Sequence, residues 1–346
     1  MAKSKQRASQ RREQHKQQRF SGNQASQAQA RKHGSSGQNR GYKVRSKRRP
    51  WLLVVGTLVV IAAIVGIFLY VSHQSTSNTA VQTPVATDRT VLKAVTGVDP
   101  SVANTVGTGG VTNLLHAVNG SPPVLKGPTG KPEFFYAGAD YCPYCAAQRW
   151  AIVVSLSRFG TFSKLPQIQS AESNISTFTF DGSTYSSTYI DFVPLETASN
   201  QPDGSGSYLP LQKPTAEQLQ LINTYNGPPY TQSQGSIPFI DIANRYVMTG
   251  ASVDPQKLGS SSWQDIANNL SNKDDPITQA ILGSANYLTA AICISTNQQP
   301  GSVCNTPVIQ QIEKTLGKTA VASTAPQTGL IPRNGEAIVR RQESIG

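Results

Sequence analysis

Histidine is scarce in this 346-residue chain: it has four copies, His15, His33, His73 and His116, and none beyond residue 116. The last two thirds therefore offers no imidazole, which removes the commonest metal ligand and general base from that stretch. Methionine occurs twice, too rarely for a thioether-rich metal carrier. No motif of a hydrolase or a kinase is present. Cysteine occurs four times, at 142, 145, 293 and 304. Acids are nearly missing from residues 1–49, where Glu13 stands against 15 Lys and Arg. Charge of either sign is missing from Trp51 to Val71, and Lys and Arg from Ser72 to Val81.

The formal charge of +12 is thus unevenly held. Residues 1–49 carry a net +14 and the remainder a net −2. Residues 1–50 hold Gln, Ser, Lys and Arg with little to bury, and read as a disordered basic tail. Aromatic residues other than Phe20 and Tyr42 are absent there, so anionic lipid headgroups rather than nucleic acid are the expected partner. Residues 51–71 are long and apolar enough to cross a bilayer as one helix. The basic flank Lys43, Arg45, Lys47, Arg48 and Arg49 predicts a cytoplasmic N-terminus and an extracytoplasmic C-terminal part. A cleaved signal peptide would have a shorter apolar segment and a small-residue cleavage site. All four cysteines follow the apolar segment, as suits an oxidising compartment.

The first cysteine pair carries the chemistry. Cys142-Pro143-Tyr144-Cys145 follows the apolar run Glu133 to Ala139 and opens a helical stretch, which places two thiols where a strand hands over to a helix. The partial positive charge and unpaired N–H groups at a helix start favour a thiolate, and Cys142 gains most. The thiolate is the attacking species in disulfide exchange. Spacing i, i+3 returns Cys145 beside Cys142 as the resolving thiol, and Pro143 in the first turn forfeits no helical hydrogen bond. A purely structural bridge and half of a zinc site are the alternatives; the latter lacks two further ligands at finger spacing. Cys293 and Cys304 are close enough in sequence to form a second, structural disulfide around the turn Gln298 to Gly301.

The pattern along the rest of the chain predicts a mixed α/β domain. Residues 72–89 read as a tether and 90–131 as a lead-in with one or two short helices between Thr90 and Leu115. Residues 132–316 form the main domain and 317–346 a flexible tail. Within the domain the expected elements are a strand at Glu133–Ala137 and a helix at Ala146–Phe159, then strands at Thr177–Phe180 and Ser187–Val193 around an Asp181-Gly182 turn. A Pro202–Pro210 loop, a Thr215–Tyr225 helix, a hairpin made of 237–242 and 245–250, and helices at Trp263–Leu270 and Ile277–Cys293 follow. Arg149 lies two turns into the first helix, where it can lower the Cys142 pKa or simply face solvent.

Strand, redox helix, strand, helix, proline-led hairpin, helix is the order of a thioredoxin-like fold, here with a long insertion at about residues 165–214 and Tyr141 where tryptophan is common. The resemblance implies a cis-proline at Pro238, with the Ile237 backbone pairing with an incoming chain and Pro238 keeping other donors from the sulfurs; a trans Pro238 merely opening an edge strand is the alternative. The segments GKPEFFYAGADYCPYCAAQRWAIVVSLSRFGTF, STYIDFVPLE, IPFIDIANRYVMTGAS and ANYLTAAIC resemble a family catalogued as domain of unknown function 929. That resemblance supplies no activity. The expectation is a membrane-anchored thiol–disulfide oxidoreductase acting on thiols or disulfides of exported proteins, with an unidentified redox partner. Cys142, Cys145 and Pro238 would do the chemistry, Ile237, Tyr144 and Pro143 would meet substrate, and no metal or cofactor is needed. A non-enzymatic envelope binding module with a permanent Cys142–Cys145 bridge is the alternative.

Overall fold

Phe134 to Ala137 is apolar without alternation, the pattern of a strand covered on both faces. In the computed structural model it becomes β2 (Glu133–Gly138), buried at every position. The structure describes residues 83–231 and 233–323, which belong to the unit Thr76–Gly346. The expected basic tail, membrane helix at 51–71 and final tail beyond residue 323 lie outside the described residues.

Beside β2 runs β7 (Asp191–Glu196), parallel to it, and on its other side β10 (Phe239–Ile242), antiparallel. β11 (Tyr246–Thr249) pairs with β10 through a turn in which Ala243 and Asn244 are both left-handed, and β1 (Leu115–Ala117) closes that edge. The mixed sheet runs β1-β11-β10-β2-β7. α3 (Pro143–Ser157) links β2 towards β7 and is buried from Cys145 to Leu156. It packs against α7 (Pro276–Ser295), whose start is fixed by Pro276 and by Asp275, which accepts from the N–H groups of Ile277 and Thr278.

α7 is long and apolar enough to cross a membrane, the one such helix among the described residues, yet 78% of its apolar window is buried within the protein. That burial marks a core helix. Gly283 lets it approach its neighbour, because a Cβ there would lie 2.2 Å from the Thr108 carbonyl oxygen.

Several expectations are corrected. The segment at 187–193 divides into β6 (Thr184–Ser187), which pairs with β3 (Gly160–Lys164), and β7 in the main sheet. β5 (Ser176–Phe178) pairs with β4 (Gln167–Gln169), so Asp181-Gly182 does not join paired strands. The expected Pro202–Pro210 loop is part of a hairpin, β8 (Ala198–Pro202) with β9 (Tyr208–Pro210), because Gly204 and Gly206 take the left-handed turn that folds the chain back. Val85, assigned to the tether, exchanges two backbone hydrogen bonds with Gln167, at 3.1 and 2.8 Å. The lead-in holds α1 (Arg89–Thr96), α2 (Pro100–Val106) and also β1. α4 (Ala216–Tyr225) begins at a Thr215–Gln218 capping box. α5 (Pro255–Leu258), α6 (Trp263–Asn269), α8 (Gly301–Cys304) and α9 (Pro307–Ser323) complete the unit. α9 runs past the expected domain end at 316, and its Ile309, Ile312 and Leu316 join the core.

Candidate functional site

The site is built where β2 ends. Gly138 is required there because a Cβ would meet the Tyr136 hydroxyl at 2.1 Å. Four residues on, Cys142 is the N-cap of α3, with φ −76° and ψ 124°, and its Sγ accepts from the Cys145 N–H at 3.3 Å. A sulfur in this position takes the place of the side-chain oxygen that ordinarily caps a helix. Cys142 is 6% exposed and Cys145 0%; neither is in a disulfide.

The two thiols are driven apart. Cys142 is lowered to about 7, chiefly by the hydrogen bond from the Cys145 thiol and, against a desolvation cost, by the Cys145 N–H and the Arg149 charge. Cys145 is raised well above an ordinary thiol, first by burial and then because it donates to Cys142. One thiol is thus readied as the thiolate while its neighbour keeps its proton.

Arg149 is fully buried, not on the surface. Its Nε and Nη2 donate to Glu196 Oε1 and Oε2 at 2.9 and 2.7 Å, and Nη2 also donates to Asp140 Oδ1 at 3.2 Å. Its guanidinium carbon lies 5.9 Å from the Tyr136 ring centroid. Burial raises both carboxyls, and their mutual repulsion adds to it at Asp140. Glu196 holds the bidentate contact, while Asp140, with one longer contact, is raised to about 7. Arg149 therefore serves as the fixed positive charge behind the cysteine pair.

Residues 126–294 match the family model described as Domain of unknown function (DUF929). No curated protein and no solved structure matches the chain. The matched segment contains Asp140, Cys142, Cys145, Arg149, Glu196 and Pro238, and ends between Cys293 and Cys304.

Within the matched segment, Pro238 immediately precedes β10. Phe239 lies opposite Ala137, which sets Pro238 level with the end of β2. The Ile237–Pro238 peptide is cis; Pro238 is buried and Ile237 half-buried. The loop before it is held by Asn226, whose Nδ2 donates to the Ser236 carbonyl while its Oδ1 accepts from Thr249. Tyr144 is 55% exposed, and with Pro143 it lines a cavity of about 220 Å³ shared with Ser173, Ile175, Asp254 and Gln256. On the other side, Tyr141 stacks on Tyr208 of β9, with centroids 4.3 Å apart and planes within 5°. The Asp140 N–H donates to the Ala198 carbonyl of β8 at 2.8 Å, so this hairpin braces the loop that carries Cys142.

Cys293 and Cys304 are disulfide-bonded, with Cα atoms 5.5 Å apart, and tie the end of α7 to α8. Among the described residues no group of three or more His, Cys, Asp or Glu is placed to hold a metal ion. Reasoning from sequence missed the Arg149–Glu196–Asp140 cluster. Its signal was an arginine within CAAQRWAIVV, a stretch otherwise too apolar to offer it a solvated face.

Proposed function

We propose that the chain is a membrane-anchored thiol–disulfide oxidoreductase with a thioredoxin-like fold, working outside the cytoplasm on exported proteins. The asymmetry of the pair carries this reading: a capping Cys142 lowered to about 7 beside a buried Cys145 that is raised. The chain order β2, α3, β7, α4, β10, β11, α7, with a proline-led hairpin beside the strand that delivers the cysteines, supports the fold. The uncharged Trp51 to Val71 segment with its basic N-terminal flank supports the anchor and its orientation.

In the reducing direction the Cys142 thiolate attacks one sulfur of a substrate disulfide. A Cys142–substrate bond forms, and the substrate's own S–S bond breaks to release one thiolate. Cys145 then gives up its proton and attacks Cys142 Sγ. The second substrate thiolate leaves, and two electrons have passed from the pair to the substrate. Oxidation of a substrate dithiol is the same sequence reversed. Ile237 and Pro238 on one side and Pro143 and Tyr144 on the other would flank the bound chain.

The low exposure of Cys142 favours a second reading, a binding module in which the pair is a permanent bridge. Cys145→Ser in the full chain, expressed in its membrane, distinguishes the two. An exchanger accumulates mixed disulfides through Cys142 with exported proteins. A binding module accumulates none.

A further inference from the structure

The far end of α3 carries a second arginine, half-buried and built unlike the first. Arg158, the C-cap residue of α3, makes no ion pair among the described residues. Its Nη1 donates to Asn286 Oδ1 and Thr289 Oγ1 of α7, each at 2.8 Å. The Asn286 amide is fixed in that sense because its Nδ2 donates to the Ala103 and Gly107 carbonyls. Arg158 Nη2 is buried and makes no hydrogen bond among the described residues. A guanidinium held only by neutral oxygens keeps its full charge, and the half-buried part of that charge is costly to withdraw from water unless an anion faces it. The carbonyl end of α3 offsets part of it, equivalent to about half an elementary charge. Burial lowers Arg158 to about 10, which still leaves it charged at neutral pH.

The same arginine lines a cavity of about 70 Å³ together with Asn104, Asn286, Ser302 and Thr306, several times the ~10–15 Å³ that one water requires. Apolar Val98, Val303 and Ile309 complete the wall. The Cys293–Cys304 disulfide holds α8, and so Ser302 and Val303, against the end of α7.

From the unpaired guanidinium and the polar-lined cavity beside it, we infer that the α2–α3–α7–α8 junction is a binding site for a small oxyanion, a carboxylate or phosphate group. Arg158 supplies the charge, while Asn104, Ser302 and Thr306 supply further hydrogen-bond donors. The site lies at the opposite end of α3 from Cys142 and does not depend on the redox reading.

The test is hydrogen exchange of the purified full chain in detergent, titrated separately with sodium phosphate and sodium acetate at constant ionic strength. At least one of the two anions should slow exchange in 100–107 and 300–308 saturably, leaving β10 and β11 unchanged. Arg158→Met should lose the response and Arg158→Lys keep part of it. Should Arg158→Met fail to fold, Ser302→Glu keeps the test open: a carboxylate fixed at the rim should give slowed exchange without added anion and little further response. No saturable slowing with either anion in the unsubstituted chain would overturn the site. So would a response in Ser302→Glu equal to that of the unsubstituted chain.

Discussion

Alkylation of the reduced protein across a pH series bears on the cysteine pair most informatively. With Cys142 at about 7, half of it is thiolate at pH 7, against about 3% for a free thiol near 8.5. That is roughly a 16-fold gain in attacking species. A thiolate of lower pKa is intrinsically less nucleophilic, and with a Brønsted slope of about 0.45 the 1.5-unit drop costs about fivefold. The net gain at pH 7 is roughly threefold over a free thiol, before any loss from the limited exposure of Cys142. The diagnostic quantity is therefore the midpoint, not the absolute rate. Iodoacetamide labelling followed by mass spectrometry should give a Cys142 rate that rises to a plateau with a midpoint near 7, while Cys145 stays far slower because burial raises it. A Cys142 midpoint at or above 8.5, or equal rates at both thiols, would refute the reasoning.

Arg149→Met should move that midpoint upward, since the Arg149 charge is one of the groups holding Cys142 down. It should also destabilise the fold by about 3–5 kcal/mol in urea unfolding, because Glu196 and Asp140 are left buried without their cation. Asp241 has one carboxylate oxygen buried without a partner among the described residues, and burial raises it to about 7. A raised carboxyl favours the folded state below the unfolded value of 3.8 and loses that contribution as pH rises through about 7. Asp241→Asn should therefore flatten the decline in thermal stability between pH 4 and 8, with a gain at pH 8 capped at about 4 kcal/mol by 1.36 kcal/mol per unit. Replacing Cys293 and Cys304, which are 11 positions apart, with Ser should lower stability by about 3 kcal/mol through loss of the loop they close, while leaving the Cys142 midpoint in place.

Much of the frame was legible because its signals are local. The run Phe134 to Ala137, the proline and cysteine at a helix start, and the Asp275-Pro276 cap each declare an element within a few residues. The β8–β9 hairpin was not legible, since a Gly/Ser stretch reads equally as a loop until its flanks find one another. The division of 184–196 between two sheets was hidden for a related reason: strand periodicity gives no partner. Arg149 shows the same limit at the site. Its helix position was plain, but its burial depends on Glu196, 47 residues away and on another strand. The β1 edge and the Arg158 cavity depend likewise on segments far apart in sequence.

The reduction potential of the Cys142–Cys145 pair, from equilibration of the full chain with glutathione buffers, tests the central claim most directly. A pair that exchanges with exported proteins should lie above about −300 mV. A value clearly below −300 mV would contradict exchange and leave the pair a structural bridge.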